Sequence, residues 1–203
     1  GEAKDGSFPL LSPPERALLS SVGRLAKLHR MLRTHAATIS STHRSTICRA
    51  VSTSISSVQL ARFQEKILHV ESQILSNDAA TVGAYNIVPL ASVVGQFDEW
   101  TRLMEWMWDI SCYMLPTKST EGEEQNAVNS RSCSGAGIID KLRQEVQTGY
   151  PDIERAATEL INVAETAWLR QLSAWVLYGH LPAFGEDFFI QANQNAADGL
   201  LEF

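Results

Sequence analysis

The sequence predicts an all-α fold, an elongated bundle of about five to six helices with one long flexible loop. Three observations lead there. Apolar residues recur at three- and four-residue spacing over long stretches. Pro13–Pro14, Pro116 and Gly179 with Pro182 stand at ends of that spacing. No helical stretch shows the strict apolar–polar alternation of a strand, and "DFFIQ" near the C-terminal end is the only plausible extended run.

Ser12 followed by Pro13, Pro14 and Glu15 is a helix start: Ser caps, Pro suits the first turn, and Glu complements the helix dipole. Leu18, Val22, Leu25 and Leu32 then repeat at helical spacing, which places a first helix at about 13–37. Residues 38–57 are rich in Ser and Thr, and the part near Ser40–Arg44 reads as a loop. From about Thr46 the helical pattern resumes. Leu60, Phe63, Ile67, Val70 and Ile74 form a short heptad-like seam with charged residues between them, ended by "SNDA" at 76–79. A third helix is expected over about 79–114, kinked or broken at Pro89 and stopped by Pro116. From Phe97 to Tyr113 it is apolar all round, as a helix central to a bundle would be. Residues 116–136 have Val128 as their only large apolar residue and read as a flexible insertion. A short helix at about 137–147 follows, then a last helix at about 151–178 with Leu160, Val163, Ala167, Leu172, Trp175 and Val176 on its inner side. Gly179 suits its left-handed C-terminal cap, and Pro182 prevents its resumption.

A chain of 203 residues, 44% hydrophobic and 20% charged, can bury a core without covalent staples. Its net charge of −6, with Lys and Arg dispersed, argues against a nucleic-acid partner, which needs clustered cations. No run approaches the ~18 apolar residues of a membrane span, and no signal peptide opens the chain. It starts at Gly1, as an excised or engineered fragment would. Cys48, Cys112 and Cys133 are distant and odd in number, so neither a disulfide framework nor a zinc site is expected, and a reducing compartment is.

Chemistry is hard to find. The five histidines make none of the spacings that place metal ligands on one helix face, so no metal, cofactor or catalytic residue is expected. "SCSGAG" at 132–137 resembles a phosphate loop but has neither a preceding strand nor a lysine, and reads as linker. Trp100, Trp106 and Trp108 at helical spacing read as core. In "GHLPAFGED" His180 is a helix-end residue, and Glu186 and Asp187 are adjacent, so they point apart and make no acid–base pair. Phe188, Phe189 and Ile190 need an apolar surface and are expected to pack on the bundle.

The stretch "WLRQLSAWVLYGHLPAFGEDFFI" strongly resembles a signature of the gamma-tubulin complex components: a Leu-x-x-Trp-aliphatic helix end, a Gly, a Leu, a short variable loop, then an acid and an aromatic pair. The matching positions are Leu172, Trp175, Val176, Gly179, Leu181, Glu186, Phe188, Phe189 and Ile190. "QLSAW" with "GEDFFI" looks nearest to component four, and "LSPPERALLSSVGRLAKLHRML" is similar to that component's first long helix. The resemblance implies that the whole chain, 1–203, is one N-terminal helical domain, with 116–136 as an insertion. It further implies a non-catalytic structural subunit that packs laterally against sister components in the ring that templates microtubules. Gamma-tubulin would be bound by a C-terminal half that this chain lacks. The expected setting is the cytoplasm and cytoskeleton, at a microtubule organizing center or spindle pole during spindle assembly, with no nucleic-acid or membrane partner. The near absence of residues before the first helix argues against the accessory partners of longer relatives. A rod from a vesicle-tethering complex would share the amphipathic helices and acidic balance, but not this signature.

Overall fold

A computed structural model of the chain describes residues 12–76, 88–117, 133–182 and 187–190. Helix accounts for 82% of them, with no strand among them, as the periodicity predicts. Helices α1 (Pro13–Thr42) and α2 (Thr46–Ser54) form a hairpin; α2 continues through a π-helical turn, Ile55–Gln59, into α3 (Leu60–Leu75). Then come α4 (Leu90–Gly95), α5 (Asp98–Met114), α6 (Gly135–Glu145) and α7 (Pro151–Tyr178). One core joins α1, α2, α3, α5, α6 and α7; Leu32, Ile39, Ile47, Ile55, Met104, Met107, Ile138 and Leu160 are fully buried in it.

The ends follow local chemistry. At α1 the Glu15 carboxylate accepts from both the backbone N–H and the hydroxyl of Ser12, 2.8 Å each. The helix runs to Thr42, five residues beyond the expected 37. Its Ser and Thr hydroxyls turn back onto carbonyls one turn earlier (Thr38 to Thr34, Thr42 to Thr38), so they do not compete with the helix. Burial of Ala36 and Ile39 carries it on. The expected loop near Ser40–Arg44 shrinks to His43, Arg44 and Ser45. His43 is buried there with a defined tautomer: Nδ1 accepts from the Ser45 N–H, and Nε2–H donates to the Met114 carbonyl, 3.0 Å each.

The third helix also differs from expectation. Pro89 is the expected break and precedes α4, but a second, unexpected break falls at Gln96 and Phe97; residues 79–87 lie outside the described residues. Leu115 ends α5 in extended conformation, φ −137°, as the residue before a proline prefers. Trp106 is buried and donates Nε1–H to Glu145 at 3.1 Å, while Trp100 and Trp108 pack half-buried on the core. Along α3 the seam closes only in part. Leu60, Phe63 and Val70 are buried, but Ile67 and Ile74 line an apolar groove of about 460 Å³ with Val22, Val93 and Phe97. Within the proposed insertion, 118–132 lie outside the described residues.

Helix α7 crosses α2 and α3 antiparallel. Glu159 meets Gln59 and Arg62, and Gln171 meets Thr46, the first residue of α2, while Asp152 at the start of α7 meets Arg102 of α5. Beyond Gln171 the helix has therefore passed the start of α2. This explains why Val176, expected on the inner side, is 64% exposed, while Leu172 and Trp175 are half-buried. The buried stripe lies earlier, at Ile153, Ala156, Ala157, Leu160 and Ala164.

Candidate functional site

The residues singled out by the signature converge on the end of α7. Gly179 sits at φ +66°, the left-handed conformation that suits glycine, and caps the helix. Its N–H bonds the Trp175 carbonyl at 2.9 Å, and the His180 N–H bonds Ala174 at 3.2 Å. The His180 side chain is exposed and stacks on Tyr178. Leu172, Leu181 and Pro182 are half-buried. Glu186 lies outside the described residues. Trp175 meets Phe188 and Phe189 edge-on, with ring centroids 5.9 and 5.7 Å away. Phe188 and Ile190 are buried, but Phe189 is 62% exposed, so the expectation that all three pack on the bundle fails for Phe189. The Phe189 ring lies on the outer side of this cluster, against Phe188 with ring centroids 4.6 Å apart. The "DFFIQ" run is not a strand; Phe188 and Phe189 lie in a bend, and Gln191 is outside the described residues.

Asp187, dismissed as half of an unproductive carboxylate pair, is what ties this segment down. Its Oδ2 accepts from the Ser45 hydroxyl at 2.8 Å, from Thr46 Oγ1 at 3.3 Å and from the Ile47 N–H at 3.4 Å. Its Oδ1 accepts from the Gly135 N–H at 2.9 Å. One carboxylate thus serves the N-terminal ends of α2 and α6 together, where unpaired N–H groups and the helix dipoles favour negative charge. Each helix also has its own serine cap: Ser45 Oγ accepts from the Cys48 N–H and Ser134 Oγ from the Gly137 N–H, 3.1 Å each. Gln171 of α7 donates to Thr46 Oγ1, joining a third helix to the cluster. A side chain at Gly135 would place its Cβ 2.6 Å from Ile47 Cδ1 and 2.7 Å from Asp187 Oδ1, so only glycine lets the carboxylate approach. The "SCSGAG" stretch, read as linker, therefore ends in an ordered helix cap, and α6 starts two residues earlier than expected.

These groups supply position, not reactivity. Both oxygens of Asp187 are occupied by donors. Among the described residues no group of three metal-ligating side chains could hold a metal ion, and no helix is long and apolar enough to cross a membrane. Two half-buried histidines stand elsewhere. His29 lies against Phe63, and His35 Nδ1 sits 3.0 Å from the Ser111 hydroxyl, with its ring against Trp108. Burial pushes both below the usual histidine range, aided at His29 by Arg33 and opposed at His35 by the Leu115 backbone.

An all-α bundle whose distinguishing residues are a glycine cap, an aromatic anchor and a two-helix carboxylate clasp is a structural module. The family model "Gamma tubulin complex component N-terminal" matches residues 2–202, and the chain belongs to that family of non-enzymatic structural components of the gamma-tubulin complex. No curated protein and no solved structure matches the chain.

Proposed function

We propose that the chain is the lateral-contact half of a gamma-tubulin complex component, nearest to component four, folded as one domain over 1–203 with 116–136 as an insertion. In this reading it packs side by side with sister components to assemble the ring that nucleates microtubules. It leaves gamma-tubulin to a separate C-terminal half, works without a cofactor, and binds neither nucleic acid nor membrane. Its setting is the cytoskeleton, at a microtubule organizing center or spindle pole. The family match over 2–202 carries the reading. The unpaired apolar side chains on two helices support it: Leu68 and Leu75 on α3, and Leu169, Val176 and Leu177 on α7, are each more than half exposed, which suits a partner surface. The signature residues Leu172, Trp175, Gly179, Leu181, Glu186, Phe188 and Phe189 act in this reading as architecture. The chain, purified and immobilised, should retain the N-terminal halves of sister components and release gamma-tubulin on washing. Tight capture of gamma-tubulin by the chain alone would overturn the division of labour.

A further inference from the structure

Two of the three cysteines meet at the Asp187 clasp. Cys48 lies in the first turn of α2, fully buried, with its thiol 3.7 Å from the Cys133 carbonyl. Cys133, half-exposed, immediately precedes the Ser134 cap of α6, and its N–H bonds the Met114 carbonyl at 3.3 Å. The Cys133 thiol lies 3.2 Å from the Ser134 carbonyl, and its side chain interacts with those of Cys48 and Tyr113. The pocket is close-fitting: a Cβ on Gly137 would lie 3.2 Å from Cys133 Sγ and 3.5 Å from the Tyr113 oxygen.

We propose that Cys48 and Cys133 form a reversible thiol–disulfide site, closed by hydrogen peroxide or a related hydroperoxide, that staples α2 to the start of α6.

The two sulfurs have unequal roles. Contact with the Cys48 thiol, and then the Tyr113 hydroxyl, hold Cys133 below the usual thiol range, whereas Cys133 and burial push Cys48 well above it. Cys133 is also the half-exposed one of the pair and Cys48 the fully buried one, so Cys133 is the sulfur that meets peroxide, reacting through its thiolate form. Its sulfur attacks one peroxide oxygen, the O–O bond breaks, and the departing hydroxide takes a proton from solvent, leaving Cys133 sulfenic acid and water. Cys48 sulfur then attacks Cys133 sulfur. The S–O bond breaks, and hydroxide leaves as a second water with the Cys48 proton. Two thiols are oxidised, one peroxide is reduced to two waters, and a dithiol reductant reverses the bond. Cys112, on α5, is apart from this contact and stays reduced.

The bond would join residues 85 apart in sequence, beside the clasp that Asp187 already holds. It would therefore lock a junction that exists in the reduced protein rather than build a new one.

The test treats the chain with a small excess of hydrogen peroxide, then reads free thiols, intact mass and a non-reduced peptide map. The expected result is loss of two of the three thiols, a mass lower by about 2 Da, and a Cys48–Cys133 cross-linked peptide. Tm should rise by roughly 5–15 °C and return on reduction. Cys112→Ser should leave the cross-link intact, and Cys133→Ser should leave Cys48 reduced. Tyr113→Phe should slow loss of the Cys133 thiol by about three-fold or more. A link through Cys112, a Cys133–Cys133 dimer, or Cys133 advancing to sulfinic acid while Cys48 stays free would each overturn the proposal.

Discussion

The two halves of α7 are held in different ways. From Ile153 to Ala164 the helix is buried by small and aliphatic side chains against the bundle, and Ala157, Leu160 and Ala164 have no exposure. From Gln171 to Tyr178 it has run past the start of α2. Val176, Leu177 and Tyr178 are 64–72% exposed, and what holds this half is a strap: Gln171 on Thr46, Trp175 on Phe188, and Asp187 on Ser45 and Gly135. The first half follows from apolar periodicity, since burial is roughly proportional to apolar area. The second depends on a few directed contacts between residues far apart in the chain, which cost most when one partner is removed and the other stays buried.

Substitutions at the two halves should separate these modes. Leu160→Ala empties a fully buried site and should lower stability by about 2–5 kcal/mol in urea denaturation. At the strap, Gly135→Ala forces Ile47 and Asp187 apart and should cost about 1–3 kcal/mol. Asp187→Ala, which strands the Gly135 and Ile47 N–H groups, should cost about as much. The two should be clearly less than additive, because either change breaks the same clasp; full additivity would show that Asp187 and Gly135 act independently. Leu177→Ala, on the exposed face of the same helix, should fall within about 0.5 kcal/mol. A larger loss there would mean that the second half of α7 is buried by something other than the strap.

Acid sensitivity offers a smaller test, away from α7. His29 and His35 have folded pKa values below 6.5, so the unfolded chain binds protons more readily. Their contribution is complete above about pH 6.5 and is lost as pH falls through that value toward the depressed folded ones. Glu159, held below the carboxylate range first by Arg62 and then by Gln59, loses its contribution only below about pH 4.5. A Tm profile from pH 7.5 to 5.5 should fall, and should flatten in a His29→Gln, His35→Gln double variant. An unchanged slope in that variant would place the acid sensitivity elsewhere.

Much of this was legible in the sequence, for physical reasons. The capping residues Ser12 and Gly179, the stop at Pro116, Leu25 and Leu32 of α1, the apolar α5 and Leu160 of α7 are local and periodic. They emerge from spacing alone. Three features were not legible. The continuation of α1 through "TISST" depends on Ile39 finding a core, which hydroxyl-rich composition hides. The exposure of Val176 depends on where α2 begins, a matter of packing. The role of Asp187 depends on partners 52 and 142 residues away. Adjacency to Glu186 argued correctly against an acid–base pair, yet said nothing about two helix starts converging on one carboxylate. The signature pointed to the right region, but its acid, Glu186, is the neighbour of the residue that makes the clasp.

The central claim is that the Trp-to-Phe segment is architecture. Phe188 is its most direct probe, 4% exposed and packed on Trp175. Urea denaturation of Phe188→Ala should show a loss of about 3–5 kcal/mol, with the exposed Phe189→Ala far milder. An unchanged midpoint for Phe188→Ala, together with lost binding to a sister component, would contradict the claim and move the segment from the core to a partner surface.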